Sequence, residues 1–458
     1  MMEVGGASSG THARKKARFT QLAFMIYGAS CGGAFGVEEM ISGSGPGVAF
    51  WTLIIVPFLF CVPIAMAVGE LTAAMPVEGG SYRWSRVAFG DFWGFQAGYW
   101  TWMTGVMTNV IFAQLFVRYL SQWLPLSGVG AWLACLALIW STHLLNVRGI
   151  NVVGNASIVL TLFILFVFLA MFVLGLRGWS HSPLSPFAAP KQSLLDSVSV
   201  SLPLAIFLYA GYDKLSNVAD EVEAPQRNFP RALFVAVSMA AATYILPTFA
   251  ALAALGNWTE WKEAYFPVAA MRMGGAPLFH AMTLAGMASN AMLLAVTVLA
   301  VSRVPLALAE DGFLPGSLSR LHPVRRTPVR SLLYGSIAYS LLSILDFRNV
   351  LVINVWFQMA SNILIYADVW RLRSSQPDAP RPFVIPFGRP GLVVATATSC
   401  LLALVCMVGS VVEGGALRWT QLALGVGALA SGAALYRTMR VLKARGWRDV
   451  DARRTTRE

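Results

Sequence analysis

Residues 27–40 read YGASCGGAFGVEEM, from Tyr27 to Met40. The stretch lies inside an apolar run long enough to cross a membrane. It nonetheless holds four glycines (Gly28, Gly32, Gly33, Gly36) followed by two adjacent glutamates, Glu38 and Glu39. An unpaired backbone polar group in hydrocarbon costs several kcal/mol. A break in a spanning helix is therefore tolerated only where it is buried in protein or lines a wet cavity. Glycines in membrane helices also serve close helix packing, but a mid-span cluster followed by charge points to a functional break.

The rest of the chain supplies the setting. Of 458 residues 57% are hydrophobic and only 12% charged, and the mean hydropathy is +0.63. A soluble domain carries about a quarter charged residues. Runs able to cross about 30 Å of hydrocarbon at about 1.5 Å per residue recur twelve times: 21–43, 48–74, 92–120, 129–147, 153–176, 195–219, 231–255, 277–309, 331–346, 349–371, 392–412 and 419–440. The eighth is long and the ninth short. The expected fold is an all-α polytopic membrane protein of about twelve transmembrane helices.

A formal net charge of +12 raises the question of nucleic acid, and the distribution of charge answers it. With the spans alternating across the bilayer, 27 of the 34 Lys and Arg fall on the side of the amino terminus and 7 on the other. That asymmetry is the positive-inside pattern. It predicts a multi-pass protein of the cell (inner or plasma) membrane with both termini cytoplasmic, and it leaves no call for a nucleic-acid partner. No small-residue cleavage site follows a short apolar core near the amino terminus, so no removable signal peptide is expected.

The five cysteines are scattered and mostly within apolar spans, and the five histidines are dispersed. Neither a disulfide framework nor a metal site is expected. HExxH and phosphate-binding P-loop signatures are missing, which argues against a membrane metalloprotease or an ATP-driven pump. No cofactor is expected.

A second interrupted span matches the first. In SLPLAIFLYAGYDKLSNVADEVEAPQRNFPRAL (201–233) the apolar run passes Pro203 and Phe207, reaches Tyr209-Ala210-Gly211-Tyr212, and then places Asp213 and Lys214 at membrane depth. The two breaks open spans one and six of twelve. Secondary transporters built from two inverted five-helix repeats carry broken helices in those positions, with the substrate between them. On that scheme 1–18 and 441–458 are cytoplasmic tails, 19–176 and 195–371 the two repeats, and 392–440 two further helices. Free amides at a helix end attract an anion such as a carboxylate.

The sixth-span string, with Gly211, Asp220-Glu221, Pro225, Arg227 and Pro230, resembles a signature of the amino acid–polyamine–organocation superfamily. VGELTAAMPVEGGSYRWSRVAFGDFWGFQAGYW (68–100), SRVPLALAEDGFLP (302–315) and RPFVIPFGRPG (381–391) resemble further signatures of the same superfamily, in the same order. GGAFGVEE with ASN (288–290) is most similar to its branch of polyamine-uptake and L-amino-acid transporters. The resemblance implies the LeuT-type five-plus-five fold and transport of amino acids or polyamines, commonly coupled to protons.

It also implies site residues. Ser30, Cys31, Gly32 and Gly33 fall at the first break, where relatives often read Gly-Ser-Gly and bind the substrate carboxylate through main-chain amides; here the motif is Cys31-Gly32-Gly33. Phe207 matches an aromatic that closes over the substrate, Tyr209, Gly211 and Tyr212 match the second break, and Asn290 lies in the branch-specific string. The helix-five lysine that some members use in place of sodium has no counterpart in NASIVLTLFILFVF (155–168), so the coupling ion stays open.

Intramembrane ionisable groups are functional candidates. Glu38 and Glu39 lie roughly 8–9 Å beyond Gly33 if helical, about the length of a long cationic substrate; alternatively they meet water or a base such as Lys191. Asp213 either faces the cavity or pairs with Lys214 or Arg227. Tyr27, Trp102, Phe207 and Tyr212 could offer aromatic faces to an ammonium group, and Trp102 stands in GYWTWMTG (98–105), where packing is the plainer role. Glu70 reads as a structural partner for cytoplasmic arginines, and Asp220, Glu221 and Glu223 as an inner charge network. The expected function is a secondary carrier for amino acids or polyamines, proton-coupled or exchanging. A substrate-sensing receptor or channel on the same scaffold is the alternative, and no converging nucleophile and base suggests an enzyme.

Overall fold

The computed structural model describes residues 16–190, 192–262, 264–413 and 416–444. Most of the two expected tails therefore lies outside the described residues. The first expected span, 21–43, is two pieces: α1 (Phe19–Ser30) and α2 (Glu38–Ser44). Cys31 is extended at φ −148°, and Gly33 has φ +122°, a conformation no right-handed helix can contain. The glycines break the helix because their backbone leaves helical space.

The second span is continuous from Pro46 to Ala74: α3 (Pro46–Val56), a π turn at Pro57–Cys61, and α4 (Val62–Ala74). Pro57 has no N–H, so the carbonyl of Leu53 loses its helical donor. The hydroxyl of Tyr209, at the second break, donates to that oxygen at 3.0 Å.

Next come the short α5 (Gly80–Phe89), α6 (Asp91–Leu120), α7 (Gly128–Val147), α8 (Ile150–Arg177) and α9 (Leu194–Leu208). A reciprocal pair of bonds between Ser193 and Asp196 starts α9. After Leu208 the helix opens, Gly211 takes φ +109°, and the chain resumes as a 3₁₀ segment, Lys214–Glu221.

The remaining helices are α10 (Pro225–Leu255), α11 (Phe266–Val301), α12 (Arg303–Glu310), α13 (Val329–Leu342), α14 (Phe347–Ser375), α15 (Gly388–Val411) and α16 (Trp419–Ala444). A two-residue hairpin, Val412–Glu413 with Ala416–Leu417, joins the last two. The eighth span begins eleven residues earlier than the expected 277, because a kink at Gly275 (φ +70°) before Pro277 joins it to a polar segment containing Arg272. The ninth ends at Leu342, short of the expected 346.

Among the described residues, eight helices are long and apolar enough to cross a membrane, Pro46–Ala74 and Phe266–Glu310 among them. The chain is an all-helical, multi-pass membrane protein apart from the small hairpin. Its interior is built by α1 against α8, α10 and α11, and by α6 against α11 and α14. Large apolar side chains such as Phe166, 69% exposed, and Leu162 cover the outward face of α8, as lipid contact requires.

Ion pairs collect at the end of the molecule that holds the 74–90 loop. Arg373 grips Glu70 through Nε (2.7 Å) and Nη2 (2.6 Å), and the N–H of Ile385 also donates to that carboxylate at 2.8 Å. Arg86 meets Asp311 at 2.6 Å, and Arg83 and Tyr82 bond to the same carboxylate. Glu221 pairs with Arg303. The structural role expected of Glu70 and the inner network expected around Glu221 match these contacts. Lys191, offered as a partner for Glu38 or Glu39, lies outside the described residues.

Candidate functional site

The two interruptions touch. A β-carbon placed on Gly211 would lie 2.7 Å from the carbonyl oxygen of Ala29, below any real contact. Glycine is thus required at 211 both by its positive φ and by the approach of the other helix end. At Gly33 an added carbon would meet Phe168 at 2.7 Å and Phe35 at 2.9 Å. The carbonyls freed by the second break find partners: Leu208 accepts from the Tyr244 hydroxyl at 2.7 Å, and Tyr209 from the Cys61 thiol at 3.7 Å.

Between the breaks and α6, α11 and α14 runs a cavity of about 260 Å³. Gly36, Glu39 and Arg348 at its mouth are exposed, as is Gly409 on the α15 side, whereas Ser30, Gly32, Gly33, Thr108, Lys214, Asn290, Asn354 and Gln358 deeper in are buried. The hydroxyl of Ser30 has no hydrogen-bond partner among the described residues. Asn354 Nδ2 donates to Thr108 Oγ1 at 2.7 Å, and Lys214 Nζ reaches the same oxygen at 3.4 Å. Gln358 donates to Asp213 Oδ1 at 3.4 Å and to Asn362 Oδ1 at 3.0 Å.

Of the expected site residues, Ser30, Gly32, Gly33, Phe207 and Asn290 line this cavity. Cys31 turns its thiol to the Gly33 carbonyl at 3.8 Å, and the Tyr27 hydroxyl donates to Thr243 Oγ1 at 3.2 Å. Tyr209 reaches Leu53, and the Tyr212 hydroxyl is buried without a partner. Gly211 forms the seam with Ala29, and Asp213 stands one hydrogen bond behind the wall, on Gln358. Trp102 packs between the clusters of α6 and α12, edge-on to Tyr99.

Glu38 is fully buried and stands behind the cavity lining, bonded to two residues that form it. Its Oε2 accepts from the Gly36 N–H at 2.6 Å and its Oε1 from the Tyr119 hydroxyl at 3.4 Å. It fastens the first break, satisfying amides that the lost helix leaves open, while Glu39 lines the mouth near Arg118.

Lys214, expected at membrane depth, lines the cavity, its side chain folding back to within 3.6 Å of a β-carbon position on Gly211. Thr108, Asn354 and Gln358 escaped sequence reasoning. The available signal was spacing: Asn354, Gln358 and Asn362 recur every four residues, which puts three amides on one face of an otherwise apolar helix.

The opposite end of the molecule closes beneath this cavity. Arg303 Nε donates to Glu221 at 2.9 Å with both side chains shut off from solvent. Ala17 pairs with Val222 in a parallel bridge: the N–H of Ala17 donates to Glu221 O at 2.8 Å, and that of Glu223 to Ala17 O at 3.0 Å.

Two helix breaks beside one cavity are the arrangement of a membrane permease. Residues 18–426 match the amino acid permease family, and the chain belongs to it. It is similar to a probable polyamine transporter of Arabidopsis thaliana, 32% identical over 397 residues that cover 84% of this chain and 81% of that protein. Polyamine transporter PUT1 of Oryza sativa subsp. japonica is 30% identical over 434 residues, covering 93% and 78% respectively. An uncharacterized transporter of Mycobacterium tuberculosis is 26% identical over 417 residues, covering 90% and 88%. The protein is a permease and not an enzyme.

Proposed function

We propose that this chain is a secondary active carrier that moves amino acids or polyamines across the cell (inner or plasma) membrane by alternating access, coupled to protons or by exchange. One observation carries the reading: a cavity that reaches both helix interruptions, with the end at the Glu221 side shut by the Glu221–Arg303 pair and the Ala17–Val222 bridge. A channel needs a continuous path, whereas a carrier needs one closed gate at a time. Family membership and relatives named polyamine transporters support the substrate classes.

The finer architecture belongs to the same proposal. Twelve spans follow if α1 with α2, α9 with the 3₁₀ segment, and α13 count as spans beside the eight long helices and α6. Residues 19–176 and 195–371 are then the two repeats of a LeuT-type fold and 392–440 the added pair. The excess of Lys and Arg on the Glu221 side makes that end cytoplasmic, together with both termini, so the mouth faces outward.

Purified protein in liposomes tests the carrier. Labelled leucine, arginine, putrescine and spermidine are offered under imposed pH and voltage gradients, and saturable accumulation or exchange is expected for at least one. Specific binding without flux under every gradient favours the sensor.

A further inference from the structure

We propose that Lys214 is a specificity-determining residue that, with the Ser30 hydroxyl, forms an anion subsite on the cavity floor and selects substrates carrying a carboxylate over polyamines. The assignment rests on the reading of this cavity as a substrate site.

Lys214 is 5% exposed and lines the cavity. An ammonium group has three donors. Among the described residues, the one hydrogen bond of Lys214 is the long one to Thr108 Oγ1, an oxygen already taken at 2.7 Å by Asn354. The neighbouring buried Asp213 carboxylate, held by Gln358, acts on Lys214 through its charge, with no ion-pair contact between the two among the described residues. A buried cation is costly unless an anion or acceptors meet it. A substrate carboxylate would give Lys214 a direct partner at the cavity surface, and an ammonium bond to it is among the stronger hydrogen bonds.

Two further observations point the same way. The Ser30 hydroxyl, also 5% exposed and on the cavity wall, has no partner among the described residues. It lies on the last turn of α1, beside the Ala29 carbonyl that packs on Gly211, and Lys214 folds back over that same glycine. The carboxylate and basic side chains lining the cavity are Glu39, Arg118, Lys214 and Arg348, three bases against one acid, with Asp213 behind the wall on Gln358. The acid sits at the mouth and the buried base at the floor. A fully protonated diamine reaching the floor meets a like charge in a water-poor site, whereas an amino acid presents its carboxylate there and its ammonium toward the mouth. Repulsion of the wrong substrate is a means of selection in its own right.

Binding by detergent-purified wild-type protein separates the alternatives without requiring flux. The probes are L-leucine, L-glutamate, L-leucinamide, putrescine and spermidine. Leucine or glutamate should bind at least about tenfold more tightly than leucinamide and either polyamine, the amide differing from leucine only in lacking the carboxylate. Lys214→Met should erase that preference, and Lys214→Arg should keep it. Binding by the polyamines alone, equal binding of leucine and leucinamide, or binding of none of the probes overturns the assignment. If Lys214→Met fails to fold, Lys214→Gln carries the same comparison, and a leucine preference that survives it overturns the assignment. Carboxylate-selective binding with no flux in liposomes would sustain the subsite and remove the carrier.

Discussion

Arg303 Nε lies 2.9 Å from Glu221 Oε1, with the arginine side chain 0% and the glutamate 2% exposed. Arg303 also donates to the Leu299 carbonyl at 3.0 Å and to Ser302 Oγ at 2.8 Å, which spreads its charge over several acceptors. Removing one partner of a buried pair strands the other and costs about 3–5 kcal/mol, while replacing both by apolar groups is often neutral. Glu221→Leu or Arg303→Met alone should therefore lower the melting temperature sharply and raise passive solute leak from liposomes. The double substitution should recover most of the stability. A double mutant no better than the worse single would show that the pair is not the closing element.

The seam between the helix breaks makes a steric prediction. Gly211→Ala forces a β-carbon to 2.7 Å from backbone at φ +109°, and Gly33→Ala presses on Phe168 at φ +122°. Both should reduce uptake at least about tenfold while protein still reaches the membrane, since positive φ and the clash each cost about 1–2 kcal/mol. Gly427→Ala, on α16 with no atom within 4 Å, is the control and should transport normally. Retained uptake in both seam variants would detach the breaks from the pathway.

Tyr209→Phe should destabilise the protein by about 1–3 kcal/mol, because the Leu53 carbonyl is left buried and unmet. The cost should shrink in a Pro57→Ala background, where residue 57 regains the N–H that helical bonding to Leu53 needs. Melting temperatures of the four combinations give the coupling, and strict additivity would show that the hydroxyl does not repair the proline's defect.

A pH dependence follows from Glu78, in the loop between α4 and α5. Burial, assisted by the carboxylates of Asp220, Glu221 and Glu310 and opposed by Arg303, pushes its carboxyl up to about 8. An unfolded glutamate titrates near about 4.3. A raised folded value means that the contribution is fully present below about pH 4.3 and is lost as pH rises through about 8. Wild-type thermal stability should thus decline across that window at the closed end. Glu78→Gln, neutral at all pH, should flatten that part of the profile; an unchanged slope would mean that Glu78 is ionised throughout.

Both helix interruptions were legible because glycine and adjacent charge inside an apolar run have few other physical outcomes. Gly33 and Gly211 carry them, and Ser30, Phe207 and Asn290 do line the cavity. Glu38 and Lys214 were not legible in the same way. Each sits one residue from a charged neighbour, and only the turn of the broken backbone decides which of the two faces the cavity: Glu39 rather than Glu38, Lys214 rather than Asp213. Thr108 and Asn354 meet across 246 positions in sequence, a proximity that no local pattern encodes. The early start of α11 was hidden because Arg272 and the two glycines at 274 and 275 dilute its hydropathy.

The Ala17–Val222 bridge is made of main chain alone. Side-chain replacement leaves such a fastening almost untouched, so mutational scanning by alanine would pass over it and report nothing. Proline is the exception: at position 17 it deletes the N–H that Glu221 O receives and leaves the second bond in place. The start of the first helix is thereby stitched to the end of the 3₁₀ segment. On the proposed alternating-access cycle, opening this end has to unpick that stitch, and the effort it takes is written in peptide geometry.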